Sequence, residues 1–78
     1  MNLMPVILVW SEIERLMELR GIPSRDALAF SAGMHRSSLY KISKGEVQPS
    51  LKILGRLCQV LNCQPGDLLR FEPGEEDE

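Results

Sequence analysis

Four hydrogen-bonding side chains stand close together in the middle of the chain: Arg36, Ser37, Ser38 and Lys41. An arginine or lysine can donate to O6 and N7 of guanine, and a serine hydroxyl can contact several base edges. Arg36 and Lys41 are therefore the side chains from which guanine contacts are expected, and the two serines are more permissive. This chemistry needs a rigid element that presents all of them to one groove of a DNA duplex.

Two short helices joined by a tight turn are predicted to form that element. Ser24 is a good N-cap for the first helix, and Gly33 can adopt the left-handed conformation that ends it. The second helix would bury Leu39 and Ile42 and turn its polar side chains outward. Residues 24–45 are therefore predicted to be a helix-turn-helix motif, whose second helix enters the major groove.

The motif lies within a longer ordered series of apolar residues, glycines and caps. Its landmarks are Ile13-x-x-Leu16, Gly21-Ile22, Leu28-Ala29, Gly33-Met34, Leu39-x-x-Ile42-x-x-Gly45, Pro49-Ser50-Leu51, Leu54-x-x-Leu57 and Leu61-Asn-Cys-Gln-Pro-Gly-Asp-Leu-Leu69. This series resembles the lambda-repressor/Cro-type (xenobiotic-response-element, XRE) DNA-binding domain. From about Ile13 to Leu69, the resemblance implies an all-α, five-helix lambda-repressor-like bundle. The chain length indicates one domain, and we assign the single helix-turn-helix domain to residues 1–72.

Further side chains around the motif are suited to contact the DNA backbone. Arg25 begins the first motif helix, whose N-terminus should point at a phosphate, although members of the resembled family often carry Gln there. Tyr40 is expected to lie along the sugar–phosphate backbone. Lys44 and Lys52 flank the loop where members of that family meet the backbone. An ordinary solvated surface would also explain these charges, but their placement beside the motif favours DNA.

Both ends of the domain depart from the helical pattern. Residues 6–10 are apolar and β-branched, and residues 69–72 look extended, so the two segments could pair into a small two-stranded β element. Residues 73–78 form an acidic tail that is expected to be disordered.

Helix boundaries follow from local capping patterns. Residues 11–14 match the capping-box pattern and are predicted to begin the first helix, and Ser50 is the expected N-cap of the fourth. The fourth helix is predicted to bury one face, which comprises Leu51, Leu54, Leu57, Cys58 and Leu61.

The net charge of −2 hides a strong division along the chain. Residues 24–56 carry six basic and two acidic side chains, a net charge of +4, whereas residues 71–78 carry five acidic ones, a net charge of −5. Phosphate contact depends on local rather than total charge, so the basic segment suffices for DNA binding.

Several other functional classes fit the sequence poorly. An enzyme is not expected, because there is one His, no nucleophile–base arrangement and no glycine-rich phosphate loop. No cofactor or metal is expected either, since Cys58 and Cys63 lack two further zinc ligands and read as packing residues. The apolar N-terminus is too short to span a bilayer and lacks a signal-peptide pattern, which predicts a cytoplasmic protein without membrane contact.

Two functions remain open at this stage. The first is a sequence-specific regulator of transcription, expected to be a repressor, which binds double-stranded DNA as a homodimer. The alternative is an antitoxin-type interaction module that neutralises a protein partner. The homodimer is favoured by a set of apolar side chains left over after the helices are packed, although their mutual burial would also explain them. This set comprises Val6, Leu8, Trp10, Met17, Leu19 and Phe71.

Overall fold

The computed structural model describes residues 6–72, which form five helices and two short strands. In chain order these are β1 Val6–Leu8, α1 Trp10–Arg20, α2 Arg25–Ala32, α3 Arg36–Ser43, α4 Leu51–Leu61, α5 Pro65–Leu68 and β2 Leu69–Phe71. The predicted five-helix bundle is confirmed, as is the small antiparallel sheet between the two end segments. The predicted acidic tail at 73–78 lies outside the described residues.

The core of the bundle is built from aliphatic side chains that every helix contributes. The largest fully buried ones are Ile13, Leu28, Leu39, Leu57, Leu61 and Leu68. Complete burial of one such side chain is worth about 1.5–3 kcal/mol relative to its exposure. The helical spacing of apolar residues therefore fixes which face of each helix points inward.

The two strands bring the ends of the described chain together. β1 pairs with β2 in the register Val6↔Phe71, Ile7↔Arg70 and Leu8↔Leu69. Leu8 and Leu69 pack against the core, so the sheet covers one end of the bundle.

Two details differ from expectation. The predicted capping box at residues 11–14 is wrong, because α1 starts at Trp10 with Val9 as an N-cap that has no side-chain bond. The Val9 N–H donates to the Leu68 carbonyl oxygen at 2.8 Å, so a tertiary contact places the strand-to-helix transition earlier. Leu51 is 86% exposed, because the first turn of α4 extends past the core.

The set of leftover apolar side chains is also smaller than the sequence suggested. Met17 is buried in the core, and Leu8 and Trp10 pack against it while partly exposed. Leu19, together with the strand residues Val6 and Phe71, stays largely exposed. Among residues 6–72, no helix has the length and apolar character needed to cross a membrane.

Candidate nucleic-acid interface

The turn between α2 and α3 is held by hydrogen bonds that leave little freedom in the position of α3. Gly33 has a φ of 69°, the left-handed conformation that most residues avoid. The Met34 N–H donates to the Ala29 carbonyl oxygen at 3.0 Å, which closes the end of α2. Ala29 and Ala32 are buried, and their small side chains allow α3 to pack closely against α2.

α3 has one apolar and one polar face. Leu39 and Ile42 are buried against the core, as the helical spacing predicts. Four hydrogen-bonding side chains occupy the exposed surface of the same helix: Arg36, Ser37, Ser38 and Lys41. We call these four residues the reading face. Because the buried pair anchors the helix, the reading face is presented on a fixed scaffold.

Arg36 is linked to α2 by an ion pair. Its Nη1 atom lies 3.4 Å from Oδ2 of Asp26, and both side chains are mostly exposed. An exposed pair of this kind contributes at most about 1 kcal/mol. Arg36 can therefore exchange Asp26 for another acceptor at little energetic cost.

A basic–aromatic cluster joins the start of α2 to the end of α3. The Arg25 guanidinium carbon lies 5.1 Å from the centre of the Tyr40 ring, and the Lys44 Nζ atom lies 5.0 Å from it. The Arg25 Nη1 atom also donates to the Ser43 hydroxyl oxygen at 3.1 Å. We call Arg25, Tyr40, Ser43 and Lys44 the Tyr40 cluster. Two cations around one ring are attracted to its electron-rich face and form a compact positive surface.

The structure thus brings together three of the four residues expected to contact the DNA backbone. Arg25, Tyr40 and Lys44 belong to the Tyr40 cluster, whereas Lys52 lies exposed in the first turn of α4. Within residues 6–72, neither Lys41 nor Lys52 takes part in an ion pair. Both ammonium groups are therefore available to an anionic ligand.

Two arginines have structural partners that sequence reasoning missed. Arg56, counted among the basic residues of the central segment, donates from Nη1 to the Gly33 carbonyl oxygen at 3.2 Å and supports the motif turn. Arg20 donates to the Leu61 and Asn62 carbonyl oxygens at 2.8 and 3.1 Å, which caps the end of α4. No local pattern indicates these bonds, since the partners are 23 to 42 residues apart.

The two thiols lie away from the motif, at the end of α4. Cys58 is buried, Cys63 is half-buried, and both are free. Burial, together with the neighbouring Cys58, raises the pKa of Cys63 to about 11. The thiol is therefore protonated at neutral pH, which suits a packing residue better than a reactive one.

A family model, the Cro/C1-type HTH DNA-binding domain, matches residues 12–74. The chain belongs to this family. The matched residues of this Cro/C1-type chain include β2 and all five helices, except for the first two residues of α1. No curated protein matches the chain. The family is one of DNA-binding domains, which supports double-stranded DNA as a partner of the chain.

Proposed function

We propose that this Cro/C1-type protein is a sequence-specific regulator of transcription that reads the DNA major groove with α3. The observation that carries the proposal is the division of α3 into a buried apolar face and an exposed reading face. A helix anchored in this way can enter the groove without exposing core residues.

The reading face supplies the base contacts in this proposal. Arg36 and Lys41 donate to guanine, and Ser37 and Ser38 contact neighbouring base edges. The weak tie between Arg36 and Asp26 supports this role, because the guanidinium group can leave the carboxylate when a base becomes available.

The contacts with the DNA backbone come from Arg25, Tyr40, Lys44 and Lys52. Arg25 lies at the N-terminus of α2, where the helix dipole also favours a phosphate. Lys52 is the second residue of α4 and also lies in the first turn of its helix. Phosphate contacts at two separated helix starts would fix the orientation of α3 between them.

Repression in the cytoplasm by a homodimer is the mode of action we propose. One reading helix covers only a few base pairs, so useful specificity requires two helices about 34 Å apart on a near-palindromic site. A protein that occupies such a site blocks other proteins from the same DNA. The family match does not favour the antitoxin alternative, and we propose no enzymatic activity.

Selection of bound sequences from a random duplex DNA pool tests this function. The native chain should enrich a near-palindromic sequence with guanines at the positions read by Arg36 or Lys41. The double variant R36A/K41A should lose this enrichment, while Arg15→Ala, an exposed arginine on α1, should keep it. If the native chain and R36A/K41A enrich the same sequence equally, α3 is not the reading element.

A further inference from the structure

The terminal sheet carries an apolar pair that is exposed in the part of the chain the structure describes. Val6 and Phe71 lie directly opposite each other, and they are 44% and 66% exposed. Because side chains alternate along a strand, they share the sheet face of Leu8 and Leu69, which pack on the core. The sheet therefore extends past the helical bundle, and its outer end presents an aliphatic and an aromatic side chain to solvent.

Among residues 6–72, no other strand pairs with the outer edge of β2, so backbone groups on that edge are available for hydrogen bonding. Val9 and Leu68 continue the register of the two strands, and the Val9 N–H donates to the Leu68 oxygen. In an antiparallel ladder only every second facing pair is hydrogen-bonded, so the next such pair is Ile7 and Arg70, and Val6 and Phe71 are not hydrogen-bonded to each other. Phe71 then directs its own N–H and C=O away from β1. The Leu69 N–H is already used, because it donates to the Pro65 oxygen at the end of α5. Phe71 is accordingly the residue at which another strand can exchange two hydrogen bonds.

The charges beside Phe71 select one register for such a strand. Arg70 and Glu72 lie on the opposite sheet face from Phe71, with Nη1 and Oε2 3.5 Å apart. If a second copy of β2 pairs antiparallel about Phe71, each Arg70 faces Glu72 of the other copy. The segment is thus complementary to itself under a two-fold rotation. The free edge of β1, which consists of Val6, Ile7 and Leu8, has no charge to select a register.

We propose that two copies of this chain join edge to edge through β2, with Phe71 at the two-fold axis. The product is a continuous four-stranded sheet in the order β1, β2, β2, β1. Phe71 of each copy lies directly opposite Phe71 of the other, and each Val6 lies one strand further out on the same face. Opposite charges in directly facing positions stabilise this register, and like charges there oppose it. The proposal specifies the homodimer of the proposed function and rests on that function only for the use of the dimer on DNA.

The proposed register is tested by exchanging the charges at positions 70 and 72 and measuring dimerisation of the full chain by sedimentation equilibrium without DNA. In R70E the residues at positions 70 and 72 are both acidic, and in E72R they are both basic. Like charges then face each other across the interface, so each variant alone should have a dimer dissociation constant raised by roughly tenfold or more. An equimolar mixture of R70E and E72R should recover the association, and so should the double variant R70E/E72R. Circular dichroism should show every variant folded, because the exchanged residues are exposed.

The mixture distinguishes pairing between copies from any effect within one chain. Recovery of association in the mixture supports the proposal, since neither chain regains its internal ion pair. A native chain that stays monomeric, single variants that associate like the native chain, or a mixture that stays monomeric would each overturn it.

Binding to a single half-site of the selected DNA separates this proposal from the proposed function. If R70E binds the half-site like the native chain but the mixture fails to associate, only the dimer is wrong. If association follows the charge exchange but no variant prefers any DNA sequence, only the DNA-reading function is wrong.

Discussion

The polar face of α3 in the helix-turn-helix motif and the outer end of the terminal sheet are both small, but their exposed surfaces differ in kind. In the motif, the exposed side chains of α3 are polar or basic, and the apolar ones, Leu39 and Ile42, are buried. In the terminal sheet, the exposed outer pair is apolar. It has one basic neighbour, Arg70 in β2, and one acidic neighbour, Glu72, which directly follows β2.

This difference indicates two kinds of partner. A surface of exposed cations and hydroxyl groups stays hydrated when free and can exchange its water for phosphates and base edges. An apolar pair beside an unpaired strand edge gains most from another protein surface.

The largest expected effect concerns the anchoring of the motif in the core. Leu39→Ala should lower the free energy of unfolding by about 2–5 kcal/mol, because the side chain is fully buried. Leu51→Ala, the same chemical change at an exposed site, should change it by no more than about 0.5 kcal/mol. Urea unfolding followed by circular dichroism measures both. At a protein concentration at which the native chain is monomeric, Phe71→Ala in the terminal sheet should resemble Leu51→Ala. A loss as large as that of Leu39→Ala would show that Phe71 is anchored like a core residue.

The chemistry of the reading face is tested by single substitutions. Arg36→Ala and Lys41→Ala should each weaken binding to the selected DNA by about 1–3 kcal/mol, if each contacts a base through two hydrogen bonds. Lys52→Ala is the control for a phosphate contact: it should weaken binding to all sequences alike and reduce the salt dependence. Fluorescence anisotropy at several salt concentrations measures these effects. A uniform loss for all three variants would show that α3 contacts phosphate rather than bases.

The turn of the motif is tested by two glycines in different conformations. Gly33→Ala should destabilise the domain by about 1–2 kcal/mol, since its φ of 69° disfavours any side chain. Gly55→Ala, inside α4 with open space around the added methyl group, should instead stabilise the domain by up to about 1 kcal/mol. Thermal unfolding distinguishes the two signs, and a stabilising Gly33→Ala would contradict the strained turn.

The smallest expected effect concerns the acidic residues near the C-terminus. Deletion of residues 74–78 should slightly raise the affinity for random DNA at low salt, because it removes negative charge that repels phosphate or competes for the basic surface. The same anisotropy measurement with a random duplex checks this. If affinity stays unchanged while solubility falls, the segment serves solubility instead.

Much of the fold could be predicted because local residue patterns determine where most of the helices begin and which face of each helix is buried. Ser24 and Ser50 cap their helices as expected, with Oγ accepting from Ala27 and Ile53, each at 3.1 Å. The failures have tertiary causes. α1 starts early because Val9 bonds to Leu68, and Met17 is buried because neighbouring helices cover it. Neither contact can be inferred from a local pattern of residues.

The candidate site divides in the same way. The exposed position of the reading face follows from the spacing of Leu39 and Ile42 on one helix. The partners of Arg36 and Arg25 could not be predicted in this way. Arg36 meets Asp26, and Arg25 meets Ser43, only when α2 packs on α3. Whether these residues bind DNA stays a prediction.

The Tyr40 cluster has a consequence for the entropy of binding. A free arginine side chain loses up to about 2 kcal/mol of rotamer freedom when a ligand immobilises it. The Arg25 guanidinium is already restrained by the Tyr40 ring and by the Ser43 hydroxyl before any ligand arrives. A phosphate would therefore meet a side chain with fewer conformations left to lose, and binding would carry a smaller entropic penalty. Part of the affinity that Arg25 contributes would then be determined by the aromatic ring that holds it.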